Sequence, residues 1–473
     1  MDKAPVFTAS SDVFDWLSRF INLERGQSSK SFRLDRMQIL SGLAGHPESC
    51  APVIHVAGSK GKGSVTAMAA SILTGGGLKT ARYTSPHLLD YRERVCLGNG
   101  SFFDEYIYLQ AGDELYGIVS ELRKKTEAGS GLFDPGGVMG EEPTFFELLT
   151  LYFFLCARLA RCEAMVVETG MGGRLDATNI VCPEVSVITS IELEHTEYLG
   201  NTLTAIASEK GGIVKAGTPL VLTEQKKEVC DYFRNLTEEK ASPLIYVPER
   251  SRISGAVLSG SGKAYANSFT LDIEDGGGAD RIFDITLPVP GEIQARNAAA
   301  AVLAVLRAFP GISGDAIRSG LAQVRLPARF DLVCEEPLLI ADGAHTPNSL
   351  ELSSKTFCEL YGAGGILLFG CAAGKDAAGM AGILVSRFSR IIITTPGSFK
   401  KSMPEEVYRI FSETAGAAAC RIDLIPDTPL AMETAIKAGT DSALPILCAG
   451  SFYLAAELYH YLKKASSSKD GIE

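Results

Sequence analysis

Residues 54 to 64, Ile-His-Val-Ala-Gly-Ser-Lys-Gly-Lys-Gly-Ser, run from an apolar strand into a glycine-rich loop ahead of the helical stretch Val65 to Leu73. Gly58, Gly61 and Gly63 leave the backbone free to wrap a phosphate chain. Backbone N–H groups and the helix N-terminus favour the negative charge, and Ser59 and Lys60 are expected among the residues that bind the nucleotide. Lys62 is placed to reach outer phosphates and Ser64 to offer a hydroxyl to Mg²⁺. The segment Gly58 to Ser64 is therefore expected to cradle a nucleoside triphosphate, ATP, with Mg²⁺. Gly63 intervenes between the lysine and the serine, a spacing that departs from the common phosphate loop.

Other residues could complete such a site. Glu168 emerges from the apolar run Met165-Val-Val, at a strand's C-terminal end, where ligand sites of α/β sheets lie. A hard carboxylate oxygen there suits Mg²⁺; a solvated carboxylate capping the strand is the plainer alternative. His195 follows a second such strand, Val185 to Thr189. Imidazole is an unusual Mg²⁺ ligand, and a lone histidine is more often structural. Ser85 lies in Thr-Ser-Pro-His, where a turn hydroxyl before proline is ordinary. Lys210 stands before Gly211-Gly212, where a helix C-terminal lysine complementing the dipole would explain the local sequence.

The elements that must hold these residues alternate. Strand Val53 to Ala57, helix Val65 to Leu73, the stop Gly75-Gly76-Gly77 and a strand near Thr80 to Thr84 make a βαβ unit. Helix Phe145 to Ala160, strands Ala164 to Val167 and Val185 to Thr189, helix Leu203 to Lys210 and strand Leu220 to Leu222 continue it, implying a largely parallel sheet. Residues 125 to 143 read as a surface loop. Alternating runs around Phe269 and Ile282 predict a small antiparallel addition over about 250 to 290. Leu287-Pro-Val-Pro-Gly-Glu then marks the expected boundary between a first domain, 1–290, and a second, 291–473, opening with the alanine-rich helix Asn297 to Leu306. Strands Leu338 to Ala341, Ile366 to Phe369, Arg390 to Thr394 and Pro445 to Cys448 make the second domain a smaller Rossmann-like α/β unit. The polar tail from Ser466 is expected to fray.

Composition narrows the function classes. With 473 residues and 46% hydrophobic content, the chain suits two globular domains. A net charge of −11 provides no general attraction to nucleic acid or anionic membranes, so phosphate must be held locally. The eleven cysteines are scattered and never spaced Cys-x-x-Cys, which suits reduced thiols in a cytoplasmic protein. No apolar run approaches the roughly 20 residues that span a bilayer.

Taken in order, the motifs resemble one family. Gly58-Ser-Lys-Gly-Lys-Gly-Ser64, Tyr83-Thr-Ser-Pro-His-Leu88, Glu168-Thr-Gly-Met-Gly-Gly-Arg-Leu-Asp-Ala-Thr-Asn179, Thr189 to Thr196, Glu209-Lys-Gly-Gly-Ile-Val-Lys215, Asp342-Gly-Ala-His345 and Gly450-Ser-Phe-Tyr-Leu454 resemble those of the folylpolyglutamate synthases, a branch of the Mur ligase superfamily. The resemblance implies ATP-dependent addition of L-glutamate to the γ-carboxylate of a folate. It implies two Mg²⁺ ions held by Ser64, Ser85, Glu168, His195 and a carbamylated Lys210, with Lys62, His195 and Lys210 catalytic. Asn297, Arg329 and Asp342 would hold ATP from the far side of an interdomain cleft, His345 and Ser451 would line its glutamate side, and Thr144-Phe145-Phe146-Glu147 with Leu175-Asp176-Ala177 would bind the folate. Paired aromatics before a helix are more often core. A monomer acting on small molecules is implied.

Departures from the family pattern are Lys60 in place of the usual Asn, Thr346 after His345, Ile293 before Gln294, Ala328 before Arg329 and Gly374 before Lys375. Ser31-Phe-Arg-Leu-Asp-Arg36 stands where members that also make dihydrofolate tend to read Asp-Leu-Gly-Leu-x-Arg, which speaks against that second activity. Cell-wall ligases of the superfamily lack the inserted glycine, and a nucleotide switch or nucleic-acid motor would not carry the later motifs; a motor would also show a basic track.

Overall fold

The computed structural model describes residues 6–22, 33–127, 142–261, 264–274, 281–397, 400–416 and 420–469. Its first sheet holds β1 (Val53–Ala57), β2 (Thr80–Tyr83), β3 (Val95–Leu97), β4 (Ala164–Glu168), β5 (Val185–Ile188), β6 (Leu220–Leu222) and β7 (Leu244–Tyr246). They lie in the order β3-β2-β4-β1-β5-β6-β7. Every pairing is parallel except that of the edge strand β3. The central strands are buried along their whole length, which is why they read as apolar runs rather than as alternations.

Successive side chains still point to opposite faces. Val53, Met165 and Val167 pack into a core with the helices Ser10–Leu17, Glu105–Glu127 and Phe145–Leu159. Ile54, Val56 and Val166 face a second core beneath the helix Lys62–Gly75. The three-stranded antiparallel sheet of β8 (Ser251–Ser261), β9 (Ala264–Ile273) and β10 (Arg281–Leu287) closes that second core, as the alternation around Phe269 and Ile282 predicts.

The boundary expected at 290 is corrected by this packing. The helix Glu292–Ala308 buries its alanine-rich face against Lys62–Gly75, and the helix Gly314–Ala322 lies beside it in the same core. Pro288 and Pro290 therefore make a turn out of β10, not a linker; neither can donate to the ladder. Small residues draw the helices close. Ser71 donates to the carbonyl of Gly320 at 2.7 Å. A Cβ on Gly320 would sit 2.5 Å from the Ile72 Cα.

The second sheet therefore begins later, with β11 (Asp331–Glu335), and continues through β12 (Leu338–Ala341), β13 (Gly365–Phe369), β14 (Phe388–Ile393), β15 (Arg421–Leu424) and β16 (Ile446–Ala449). The order is β11-β12-β16-β13-β14-β15, parallel apart from the edge strand β11. The expected loop at 125 to 143 overlaps the end of the helix Glu105–Glu127, and its 128–141 portion lies outside the described residues. The last helix, Phe452–Lys469, runs past Ser466, and residues 470–473 of the expected tail lie outside the described residues. Among the described residues no helix is long and apolar enough to cross a membrane.

Gly320→Ala tests the corrected boundary. The two helices must separate to admit the methyl, and the loss expected is about 1–3 kcal/mol, read as a lower urea midpoint for the unit containing β1. An unchanged midpoint would refute the packing.

Candidate active site

β1 lies between β4 and β5, so its C-terminal end opens at the middle of the sheet. The loop that follows is fastened on both sides. Gly58 adopts φ +147°, and a Cβ there would lie 1.8 Å from the Thr189 Oγ1, so the backbone presses directly against the end of β5. The N–H groups of Ser59 and Lys60 both donate to the Ser190 carbonyl, at 2.8 and 3.3 Å, and the Ser59 hydroxyl donates to the Glu192 carbonyl. Gly61, at φ +90°, precedes the helix that starts at Lys62; a Cβ there would meet the Asn297 Oδ1 at 2.9 Å. Ser64 is buried in the first turn.

Two ammonium groups converge on one carbonyl. Lys62 Nζ donates to the Gly58 oxygen at 2.9 Å and Lys210 Nζ at 2.8 Å. Lys210 is buried at the end of the helix Leu203–Gly211 and is paired with Glu194 at 2.9 Å. Burial and the nearby Lys62 push its pKa down to about 8, against the pull of Glu194. For Glu194, burial would raise the pKa, but Lys62, Lys210 and Lys60 outweigh it and hold it at about 2. Glu194 lies inside the Thr189 to Thr196 motif but was not among the expected site residues, because nothing local distinguishes a carboxylate that serves a lysine sixteen residues away. His195 follows it in the left-handed region at φ +46°, with burial lowering its pKa.

Glu168 ends β4, paired in register with Val56. It is 3% exposed, its Oε2 accepts the Ser85 N–H at 3.2 Å, and a Cβ on Gly63 would touch the same oxygen at 3.5 Å. Burial raises its pKa while Lys62, the Ser85 N–H and Arg329 oppose the rise. Glu168 thus meets the Ser85 loop and the first turn of the phosphate-loop helix, the turn that carries Ser64. Among the described residues no three His, Cys, Asp or Glu side chains cluster as metal ligands. One carboxylate beside two serines nevertheless fits Mg²⁺, which commonly takes one or two carboxylates and completes its shell with phosphate oxygens and water. The second expected set fits less well as it stands, since Lys210 makes only a cation's contacts, and carbamylation would have to displace Glu194.

The second unit supplies Arg329, whose guanidinium lies 5.2 Å from the centre of the Phe452 ring, and Asp342 at the end of β12. Asp342 accepts from the Ala344 N–H at 2.7 Å and the Ser353 hydroxyl at 3.1 Å, leaving lone pairs for further donors. Burial raises its pKa and Arg329 opposes the rise. Gly450 N–H donates to the Ala344 carbonyl at 2.8 Å, which brings Ser451 beside the loop of His345. Asn297, expected on the far side of the cleft, instead comes from the same unit as the phosphate loop, because its helix packs there.

Several residues expected to contact folate make structural contacts within the chain. Phe145 and Ala177 are core residues. Thr144 caps the helix Phe145–Leu159 with Glu147, and both Glu147 carboxylate oxygens accept from the Nε–H of the buried Arg36, each at 2.9 Å. Asp176 accepts the N–H groups of Gly170, Met171 and Thr178 and the Thr178 hydroxyl, closing the loop after β4 on itself. His55, which attracted no role, lies beneath that loop: its Nε2–H donates to the Thr178 Oγ1 at 2.8 Å. Phe146 and Leu175 retain exposed surface. Ser31 and Phe32 lie outside the described residues, and Arg36 is committed to Glu147.

This architecture matches known proteins. The Mur ligase middle domain model matches residues 119–305, and the Mur ligase glutamate ligase domain model matches 328–452. The dihydrofolate synthase/folylpolyglutamate synthase of Bacillus subtilis is 32% identical, the match covering 75% of this chain and 78% of that protein. The chain belongs to the folylpolyglutamate synthase family of Mur ligases. The folylpolyglutamate synthase of Lacticaseibacillus casei is 29% identical, over 84% of this chain and 90% of that protein. A solved complex of a folylpolyglutamate synthase with AMPPCP and folate superposes with a TM-score of 0.78 at 25% identity, covering 96% of this chain and 100% of that one. The second domain model starts at 328, beyond both helices that the packing returns to the first unit of this Mur ligase.

Glu194→Gln tests the buried pair. A carboxylate whose folded pKa is held near 2, below its ordinary 4.5, adds stability that is full above 4.5 and is lost as pH falls toward 2. The variant should lose that part of the acid slope. At neutral pH it should be about 3–5 kcal/mol less stable, because Lys210 stays buried without its counter-charge. Denaturant melts from pH 2 to 8 decide it; an unchanged acid limb would refute the assignment.

Proposed function

We propose that the protein joins L-glutamate to the γ-carboxylate of a tetrahydrofolate, with ATP as co-substrate and ADP and phosphate as products. The observation that carries this reading is the meeting of the two units at the phosphate loop, where Lys60 of the first lies 2.8 Å from His345 of the second. Nucleotide and incoming amino acid would thus share one cleft.

The chemistry accounts for the residue set. A carboxylate resists attack by an amine, because its leaving group would be oxide. Transfer of the ATP γ-phosphoryl group to the folate γ-carboxylate forms an acyl phosphate and releases ADP. The glutamate amine then attacks the acyl carbon, and phosphate leaves. Lys62, released from the Gly58 carbonyl, would follow the charge on the transferring phosphoryl group, and Arg329 would neutralise phosphate from the second unit. Gly58 to Ser64 would cradle the phosphates, with Asn297 bracing Gly61 and Asp342 accepting ribose hydroxyls. Mg²⁺ held by Ser64, Ser85 and Glu168 would supply Lewis-acid polarisation of the phosphate oxygens. His195 and Lys210 stand where a second ion would lie, which would require the Glu194 pair to open. His345 and Ser451 would line the glutamate side, and Phe146 and Leu175 the folate side. Closure of the units would keep water from the acyl phosphate.

The eleven cysteines are all free, which supports a reducing, cytoplasmic setting for the enzyme.

Phosphate release with Mg²⁺-ATP and L-glutamate is the test, comparing tetrahydrofolate, dihydropteroate and no acceptor. Release with tetrahydrofolate alone is the expected result. Release with dihydropteroate as well would make the enzyme bifunctional, and acceptor-independent release or none would leave a nucleotide switch. Lys62→Ala should abolish turnover with an unchanged circular-dichroism spectrum; a near-normal rate would refute its role.

A further inference from the structure

Lys60 stands apart from the other lysines around the phosphate loop. Lys62 and Lys210 both bind the loop's own Gly58 carbonyl, whereas the Lys60 ammonium crosses to the second unit and reaches His345 Nε2 at 2.8 Å. The histidine is prepared for this contact. Its Nδ1–H donates to the Gly343 carbonyl at 2.8 Å, so Nε2 carries the lone pair and accepts from Lys60. A second link runs alongside, from the Asn348 amide to Glu192 at 3.2 Å. Glu192 is the residue whose carbonyl receives Ser59, so both links start from the phosphate-loop assembly and end on the loop 343–348. Burial holds His345 neutral, its pKa down at about 3, and the nearby Lys60 adds to this.

We propose that Lys60 is a positioning residue for the incoming amino acid: its ammonium fixes the neutral His345 ring and ties the phosphate loop to the glutamate side of the cleft. The ring, with Nδ1–H and Nε2 both engaged, is a spacer rather than a base, and Lys60 adds its positive charge to those of Lys375 and Arg329 on the side facing an acidic amino acid. Asparagine, usual at this position in the resembled family, is too short and uncharged to replace it. The inference rests on the proposed ligase reading, in which His345 borders the glutamate site.

The test compares Lys60→Met, Lys60→Arg, His345→Gln and the double variant Lys60→Met/His345→Gln. Loss of one charge-assisted hydrogen bond should raise KM for L-glutamate about tenfold in Lys60→Met and His345→Gln. The double variant should be no worse than the poorer single one, since contacting residues do not add. ADP affinity, measured by displacement of a fluorescent nucleotide, should fall much less than glutamate affinity, and Lys60→Arg should restore most of the glutamate affinity. An equal loss of ADP and glutamate affinity would make Lys60 a phosphate ligand, and additive effects would uncouple the pair; either overturns the proposal. If the wild-type protein shows no glutamate-dependent turnover, the ligase reading fails by itself. The link is then read by ¹⁵N spectra of the six histidines. His345 should show a protonated Nδ1 and an Nε2 signal that moves in Lys60→Met, and an unmoved signal would refute the contact.

Discussion

The Gly58 carbonyl organises the site. Two buried or half-buried ammonium groups donate to it, one from the phosphate-loop helix and one from a helix 148 residues further on. A carbonyl alone cannot offset two cations, so Lys210 brings Glu194, and Glu194 fixes the segment after β5 that receives Ser59 and Lys60. Gly58 can take this position only because it has no Cβ, with Thr189 filling the space where one would lie. The loop is thereby held in shape by its own cations, which a triphosphate would recruit rather than assemble.

This arrangement explains how an acidic protein binds polyanions. The chain carries a net charge of −11, yet Lys60, Lys62, Lys210 and Arg329 converge on one cleft, with Glu168, Glu192 and Glu194 as the opposing charges. Repulsion among these cations is relieved by the acidic residues in the resting protein. Phosphate charge would relieve it further, and Mg²⁺ beside Glu168 would keep that carboxylate ionised despite burial. The site is thus poised for charge to be redistributed when the substrates arrive.

Motif membership and site membership diverge in this fold. Thr144, Glu147, Asp176 and His55 have the polar character of ligand-binding residues, but each spends its hydrogen bonds on a helix cap or a loop closure. Such networks are buried, and a buried polar group left unpaired costs about 1–3 kcal/mol, so the fold satisfies most of them internally before any ligand is bound, the His55 Nδ1 excepted. Arg36 illustrates the point: nothing in the segment around it indicates that it crosses the core to Glu147.

What the sequence by itself determined is local: the central strands, the phosphate loop after β1, the helix after it and the alternating strands of the second unit. Hydrophobic runs and glycine positions act over a few residues, so they are legible without a partner. Tertiary structure alone decided that the helices Glu292–Ala308 and Gly314–Ala322 belong with the first unit, that Asn297 braces Gly61, that Lys210 holds Glu194 and that Lys60 meets His345. The last pair is separated by 285 residues. Such contacts depend on which faces of separate elements are brought together by burial of their apolar surfaces, and no periodicity within either segment encodes the other.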